Sequence, residues 1–290
     1  MKPNIINLRV WGDFACFTRP EMKVERVSYP VMTPSAARGI LEAVFWEPQM
    51  FYLVDSIRVV KRGRWVSFRR NEVTKVISLD SAKTWMKEPE KTMPIQAGGG
   101  ADDGTQRNML ALQDVEYLIT AEVRVTPLAN RPEDTREKYL DEIERRARAG
   151  KCFHRPGLGM REFAADFDWE PDADAALQRR AAELGHTAGQ FNEDLGLILY
   201  DVFDHRERAH GFRWLRDAEM SASQISNPEI SDSRRATARW HATRRNAETP
   251  RWTRPPIKPQ PTFFHARVEQ SKLDCHPERV RILTLQTGDH

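Results

Sequence analysis

The chain has 290 residues, of which 40% are hydrophobic and 30% charged. That balance supports a packed core and excludes disorder of the whole chain. With 45 Lys and Arg against 42 Asp and Glu the net charge is only +3, so a uniformly basic nucleic-acid coat is excluded and any cationic surface must be local.

No apolar run approaches the roughly 20 residues of a membrane helix, and Met1-Lys2-Pro3-Asn4 has none of the apolar character of a signal peptide. The expected location is the cytoplasm, with no membrane partner. Cys16, Cys152 and Cys275 are too few and too scattered for a disulfide framework or a zinc site, so reduced thiols and no bound metal are expected.

Residues 4–11 place Ile6, Leu8 and Val10 on one face of a strand that ends at Gly12. A polar loop with Arg19, Lys23 and Arg26 follows. Thr33 is a good N-cap and Pro34 suits the first helical position. The helix they start runs to about residue 46, with Ala37, Ile40, Leu41 and Val44 on one stripe and Pro48 as its stop. Residues 51–60 are a second strand, and a turn at residues 61–64 leads into residues 65–70.

Residues 71–108 are weakly patterned and contain Gly98-Gly99-Gly100 and Asp102-Asp103-Gly104. They read as an extended excursion with a flexible tip, the paired acids belonging to a turn. Residues 115–125 alternate cleanly, with Val115, Tyr117, Ile119, Ala121 and Val123 opposed to Glu116, Thr120, Glu122 and Arg124. The pattern predicts an antiparallel strand with one wet face.

A helix follows at residues 134–149, with Leu140, Ile143 and Ala147 inward and Gly150 as its end. Then come the glycine loop Arg155-Pro156-Gly157-Leu158-Gly159-Met160-Arg161 and a short strand over residues 162–167. Residues 166–174 are acidic and loop-like, residues 175–184 a short helix, and residues 195–203, 263–268 and 280–285 strands. The leading order is β-α-β-β-α-β, the ferredoxin-like arrangement that RNA-recognition modules also use. The fold class is therefore α+β, with a ferredoxin-like core over residues 1–168 and a smaller β-rich region over residues 169–290.

Charge is concentrated in a polar insertion at about residues 205–261. Residues 234–258 hold eight cations and a single acid, Glu248, with Trp240 and Trp252 interleaved. Positive charge beside aromatic stacking surfaces suits a nucleic-acid contact. The candidates are Arg234, Arg235, Arg239, Trp240, Arg244 and Arg245, and a solvated basic loop is the alternative. In the N-terminal half, cations stand beside the start of the first helix, where backbone N–H groups favour phosphate. Arg155 and Arg161 flank the glycine loop, so guanidinium and amide hydrogens can converge on one phosphate. The loop can equally be an ordinary tight turn.

The blocks at residues 12–29 (from Gly12-Asp13-Phe14-Ala15-Cys16-Phe17-Thr18-Arg19 on), 33–43, 69–73, 145–150 and 158–163 occur in order over about the first 170 residues. In them the chain resembles the Cas-five family of CRISPR-associated proteins, in particular the subtype I-C branch. The resemblance implies a thumb-like excursion at about residues 61–113. It also implies a subunit of an RNA-guided surveillance complex that grips the 5′ handle of CRISPR RNA. Its expected neighbours are the backbone filament subunit and the large subunit. It further implies cleavage of the precursor RNA without a cofactor. The implied RNA contacts are Arg19, Lys23, Arg26, Arg38, Arg69, Arg70, Arg145, Arg148, Arg155, Gly157, Gly159 and Arg161. Members have less sequence between the strands near residues 197 and 263, so residues 205–261 look like an insertion, with target DNA as a third reading of its charge.

Metal-free RNA cleavage needs a base for a 2′-hydroxyl, a cation for the phosphate oxygens and an acid for the leaving 5′-oxygen; it leaves a 2′,3′-cyclic phosphate. The family places a Tyr near the end of the first helix and a Lys-His pair early in the second. The matching positions here are Phe45 and Lys138-Tyr139, so only the lysine is kept. Three readings follow. His154, just before the glycine loop, takes the proton; or Tyr139 does so with Lys138 lowering its pKa; or the chain binds the guide as a catalytically silent structural cap.

Overall fold

The computed structural model describes residues 4–98, 100, 102–126, 128–129, 131–202 and 261–284. β1 (Ile5–Ala15) runs past the predicted end at Gly12, because Phe14 and Ala15 stay in register with Gln113 and Leu112 of β5 (Gly104–Val125). Cross-strand pairing, which local sequence does not encode, extends it. α1 (Pro34–Val44) starts as expected: the Thr33 hydroxyl accepts from the Ala36 N–H at 3.3 Å and Pro34 occupies the first turn. The helix ends where Phe45 turns extended, a little before the predicted stop.

β3 (Met50–Lys61) and β4 (Arg64–Val73) both pair antiparallel with β5, and the two-residue β2 (Arg26–Val27) joins β5 in parallel. The weakly patterned stretch is more ordered than expected. It holds α2 (Leu79–Lys87), a short 3-10 turn (Pro89–Lys91) and the first turns of the long β5. α2 buries none of its residues, which explains the missing apolar signal: its helix rests on the Ser78 cap and on propensity, without a core stripe.

α3 (Arg136–Arg148) lies close to prediction, and β6 (Asp166–Trp169) follows the glycine loop and pairs with β1. α4 (Ala173–Glu183) begins inside the stretch read as an acidic loop, because Asp172 caps it by accepting from the Asp174 and Ala175 amides. The remaining strands are β7 (Glu193–Asp201), β8 (Thr262–Glu269), β9 (Lys272–Asp274) and β10 (Ile282–Thr284). β9 had no sequence signal, being only three residues long.

Among the described residues one sheet carries the order β10-β8-β9-β3-β5-β1-β6, with β2 and β4 also on β5 and β7 on β8. The described residues thus form a mixed α/β molecule with a large, mainly antiparallel sheet and four α-helices. Ile6, Leu8, Ile57, Tyr117, Ile119, Ile40, Leu41 and Ile143 form one continuous core between this sheet and α1 and α3, and Ile198, Phe264 and Leu273 extend it. Cys16 and Cys275 are buried, and all three cysteines are free thiols. Among the described residues no helix is long and apolar enough to cross a membrane.

The other face of β5 is not the wet face the alternation predicted. α4 packs Ala176 and Leu177 on Val60 and Leu118, and Thr120 and Glu116 are buried. The Glu116 carboxylate is held by Arg180 at 2.7 and 2.9 Å and by Arg9 at 3.3 Å. Polar residues mark this face because a charge network, not water, covers it. Burial works to raise the Glu116 pKa; the hydrogen bonds and charges of Arg180, then Arg9, outweigh it and hold the carboxyl below the ordinary 4.5.

A carboxyl depressed in the folded state stabilises the fold above its unfolded value, and that stability is lost as pH falls through the lower folded value. Glu116→Gln therefore costs roughly 2–4 kcal/mol at neutral pH, somewhat below a fully buried pair because Arg180 keeps some solvent contact. Urea unfolding from neutral pH to about pH 3 should show a shallower loss of stability in the variant than in the parent chain.

Candidate nucleic-acid interface

α1 meets the end of β1 and the glycine loop around an open cleft of about 740 Å³. Three pieces of chain build it. The first is Phe17 and Thr18, directly after β1. The second is α1, which offers Thr33, Ser35 and Ala36 at its N-terminus and then Gly39 and Ala43. Ser35 and Gly39 lie on the side of the helix away from Ile40, Leu41 and Val44, which face the core, whereas Ala36 borders that core stripe. The third is the segment from His154 to Arg161, with Leu199 of β7 closing one side.

The glycine loop is set by backbone packing. Gly159 has φ +85°, and a Cβ there would stand 2.2 Å from the Cys16 carbonyl oxygen. A Cβ on Gly157 would meet the Met160 carbonyl at 2.4 Å. The Cys16 N–H donates to Leu158 O at 3.0 Å, and Leu158 is fully buried. Upstream, α3 ends at Gly150, and the chain crosses to α1, where the Phe153 and His154 amides both donate to Ala43 O at 2.9 and 3.0 Å. This pins the His154 ring at the cleft. Within the loop, the Leu158 and Gly159 amides are already used, by Phe163 O and Gly157 O. Those two hydrogens are therefore not offered to a ligand, and the cleft's cationic character comes from its side chains and the start of α1.

Arg155 and Arg161 are exposed and line the cleft, and neither makes an ion pair among the described residues. Among the described residues no carboxylate lines the cleft, and α1 has no acid in its first turn, so none of them neutralises the positive end of the helix locally. Around this centre the other expected cations differ. Arg26 reaches Met160 Sδ at 3.3 Å, Arg19 stacks 4.9 Å above the Tyr29 ring, and Lys23 is exposed on the same loop. Arg69 is exposed on β4, while Arg70 pairs with Glu162 at 2.9 Å. Arg145 and Arg148 are exposed on α3 but paired with Glu142 and Glu144.

Arg38 is placed differently from the rest. It forms a two-pronged pair with Asp201 at 2.7 and 2.9 Å and a third bond to Glu42 at 2.6 Å, tying α1 to the end of β7. All three of its nitrogens are committed to protein.

The catalytic candidates are not brought together. Lys138 and Tyr139 lie in the first turn of α3, His154 beyond its last, and about 15 Å of helix lies between. Tyr139 is fully buried, its ring 6.4 Å from that of Phe45, and its hydroxyl donates to Asp134 at 3.0 Å. Burial first, then that bond and the Asp134 charge, push the phenol well above its ordinary value, against the lowering that proton abstraction requires. Phe45 is buried, with Arg146 5.3 Å above its ring. The Lys138 ammonium sits 3.5 Å from Asp134 and 5.0 Å over the Tyr139 ring. Neither Lys138 nor Tyr139 lines the cleft; His154 does.

Sequence reasoning did not single out Thr18, Ser35, Gly39 or Ala43. The signal for the last three was present, as small residues recurring on the non-core side of α1. Arg234, Arg235, Arg239, Trp240, Arg244 and Arg245 lie outside the described residues.

A mixed α/β chain whose described residues form a cationic cleft without acids, between a helix start and a braced glycine loop, has the form of an anion-binding protein. Comparison with known proteins makes the class specific. The model of the family described as CRISPR-associated protein (Cas_Cas5) matches residues 5–251, and the chain belongs to that family.

It is 44% identical over 226 residues to a protein of Mannheimia succiniciproducens named CRISPR pre-crRNA endoribonuclease Cas5d, covering 78% of this chain and 95% of the relative. A Thermus thermophilus protein of the same name is 41% identical over 280 residues, covering 96% of this chain and 94% of the relative. A solved structure described as a CRISPR-associated protein superposes with a TM-score of 0.51 at 16% identity, over 93% of this chain and 90% of that one, and shows the same fold.

Gly159→Ala tests the bracing of the loop. The left-handed backbone and the overlap with Cys16 O together should cost at least about 2 kcal/mol. Thermal unfolding should show a lower midpoint, whereas Gly150→Ala, with open space around its Cβ, should pay only the backbone cost.

Proposed function

We propose that this chain binds the 5′ handle of CRISPR RNA in the α1–glycine-loop cleft and processes the precursor as an endoribonuclease, acting in CRISPR defence as a subunit of a surveillance complex. The observation that carries this is the cleft itself: two guanidinium groups and a helix start that no acid among the described residues neutralises, in a chain more than 40% identical to two proteins named pre-crRNA endoribonucleases. Strand order β6-β1-β5-β3, with α1 and α3 on one face, supports reading residues 1–168 as a ferredoxin-like core. The β4–β5 arm with α2 then is the thumb, and the described C-terminal strands extend the same sheet. A backbone filament subunit and a large subunit remain the expected neighbours, and the cytoplasm the expected compartment.

Phosphate oxygens meet Arg155 and Arg161, with Arg26, Lys23 and Arg19 along the flanking loop and Arg69 on the thumb; the charge-assisted bonds bring affinity and the geometry brings register. Arg38 is left out, because releasing it would strand the buried Asp201 carboxylate. Among the expected proton carriers only His154 stands in the cleft. Its imidazole takes the proton of the attacking 2′-hydroxyl, the 2′-oxygen bonds to phosphorus as the P–O5′ bond breaks, and the departing 5′-oxygen takes up a proton from water. Arg155 and Arg161 hold the negative charge that builds on the phosphate oxygens. The products are a 2′,3′-cyclic phosphate and a 5′-hydroxyl, with no metal in any step. Lys138 remains a flanking cation near the start of α3.

Labelled repeat RNA incubated with the chain in EDTA should be bound and cut, with a cyclic phosphate on the upstream product. Binding without cutting would assign the chain to the structural-cap role, and no binding to any repeat RNA would sink the reading. His154→Ala should slow cleavage about 10²–10⁴-fold while leaving binding within a few-fold. Tyr139→Phe should leave the rate within a few-fold; the reverse pattern would move the chemistry to α3.

Gly39→Leu separates site from fold. Apart from its own helix backbone and chain neighbours, no atom among the described residues lies within 4 Å of a Cβ at this position, and replacing a mid-helix glycine should raise stability by up to about 1 kcal/mol. RNA affinity should nevertheless fall at least tenfold, because the new side chain projects into the cleft; undiminished binding in a filter assay would place the RNA elsewhere.

A further inference from the structure

Phe153 has no part in the chemistry above, yet it is the most exposed Phe, Tyr or Trp among the described residues, at 75%. Leaving such a ring in water forgoes roughly 1.5–3 kcal/mol of burial. Its exposure does not come from a loose tether. Its amide is bonded to Ala43 O at 2.9 Å, and the next amide shares that acceptor. Its ring meets the His154 ring edge-to-face, at 4.5 Å between centroids and 69° between planes. Position 153 is thus a fixed aromatic surface beside the imidazole of the cleft, with the Arg155 guanidinium, which makes no ion pair among the described residues, two residues on.

We propose that Phe153 is a base-stacking platform: its ring takes the face of one unpaired nucleobase of the bound RNA, next to the nucleotide whose phosphate lies at Arg155 and Arg161. This rests on the RNA-binding reading. A ring for a base, an imidazole for a ribose hydroxyl and a guanidinium for a phosphate occur in consecutive residues, so one short stretch of chain meets each part of a nucleotide. Arg155 and Arg161, which line the same cleft as the His154 ring that Phe153 meets, favour the polyanion over an apolar protein surface as its occupant. Because every base offers a π face, the contact positions the strand and does not read its sequence. A base held there also fixes the sugar beside His154, so losing the ring should lower the cleavage rate as well as the affinity.

The test uses the full chain and repeat RNAs carrying 2-aminopurine at one position at a time. With the parent chain, fluorescence should be quenched most strongly at one unpaired position. Phe153→Leu, which keeps apolar bulk and loses the π face, should abolish that quench and weaken binding roughly 5- to 150-fold. Phe153→Trp should restore both, and the thermal midpoint of each variant should stay with the parent. If the parent binds RNA and Phe153→Leu binds equally well with every quench unchanged, stacking is overturned. If the Leu variant loses only assembly with a neighbouring subunit, the ring belongs to a protein interface and stacking is likewise overturned. A parent chain that binds no repeat RNA overturns the RNA-binding reading itself.

Discussion

Backbone touches backbone where the glycine loop crosses the end of β1, and the candidate site depends on that contact. Gly159 has no room for a Cβ against the Cys16 carbonyl, and the Cys16 N–H is closed by Leu158 O. With Leu158 buried beneath, the loop cannot lift without breaking a ladder-like bond and exposing a core side chain. The cleft therefore has a rigid wall, and Arg155 and Arg161 project from an anchored turn. α1 supplies the facing wall, and its small side chains are what keep the space open.

The same positive charge serves two purposes in this fold, and environment decides which. Arg38, Arg58 and Arg180 are partly or wholly withdrawn from water and held by carboxylates: Asp201 and Glu42, Asp174, and Glu116. They join secondary elements, and a charge so paired is costly to release. Arg155, Arg161 and Lys23 stand in water among the described residues without acids. Their hydrogen-bonding capacity is unspent, which is the condition for gripping a polyanion at modest net charge. A net charge of +3 thus hides a division between structural and available cations.

Placement of the proton carriers follows from helix geometry. α3 separates the Lys138–Tyr139 pair from His154 by most of its length. Tyr139 faces inward because it shares a stripe with Ile143 and Ala147, and its hydroxyl needs the Asp134 carboxylate once it is buried. The aromatic ring thereby serves packing, beside Phe45, whereas His154 is carried into the cleft by the crossing from α3 to α1, held by its bonds to Ala43 O.

Much was legible in the sequence. Thr33-Pro34 start α1, Gly150 ends α3, and the alternation of residues 115–125 marks the central strand, because caps, left-handed turns and two-residue periodicity are local properties. The family was legible too, since the blocks at residues 12–29, 33–43, 145–150 and 158–163 are each unbroken runs and occur in order. Tertiary structure alone decided which side of β5 was wet, because α4 and its Arg180 come from more than 50 residues away. It alone separated Arg38 from Arg155 and moved Tyr139 into the core. Residue type shows what a side chain can do; only the distant carboxylates and apolar faces brought beside it settle which of those things it does.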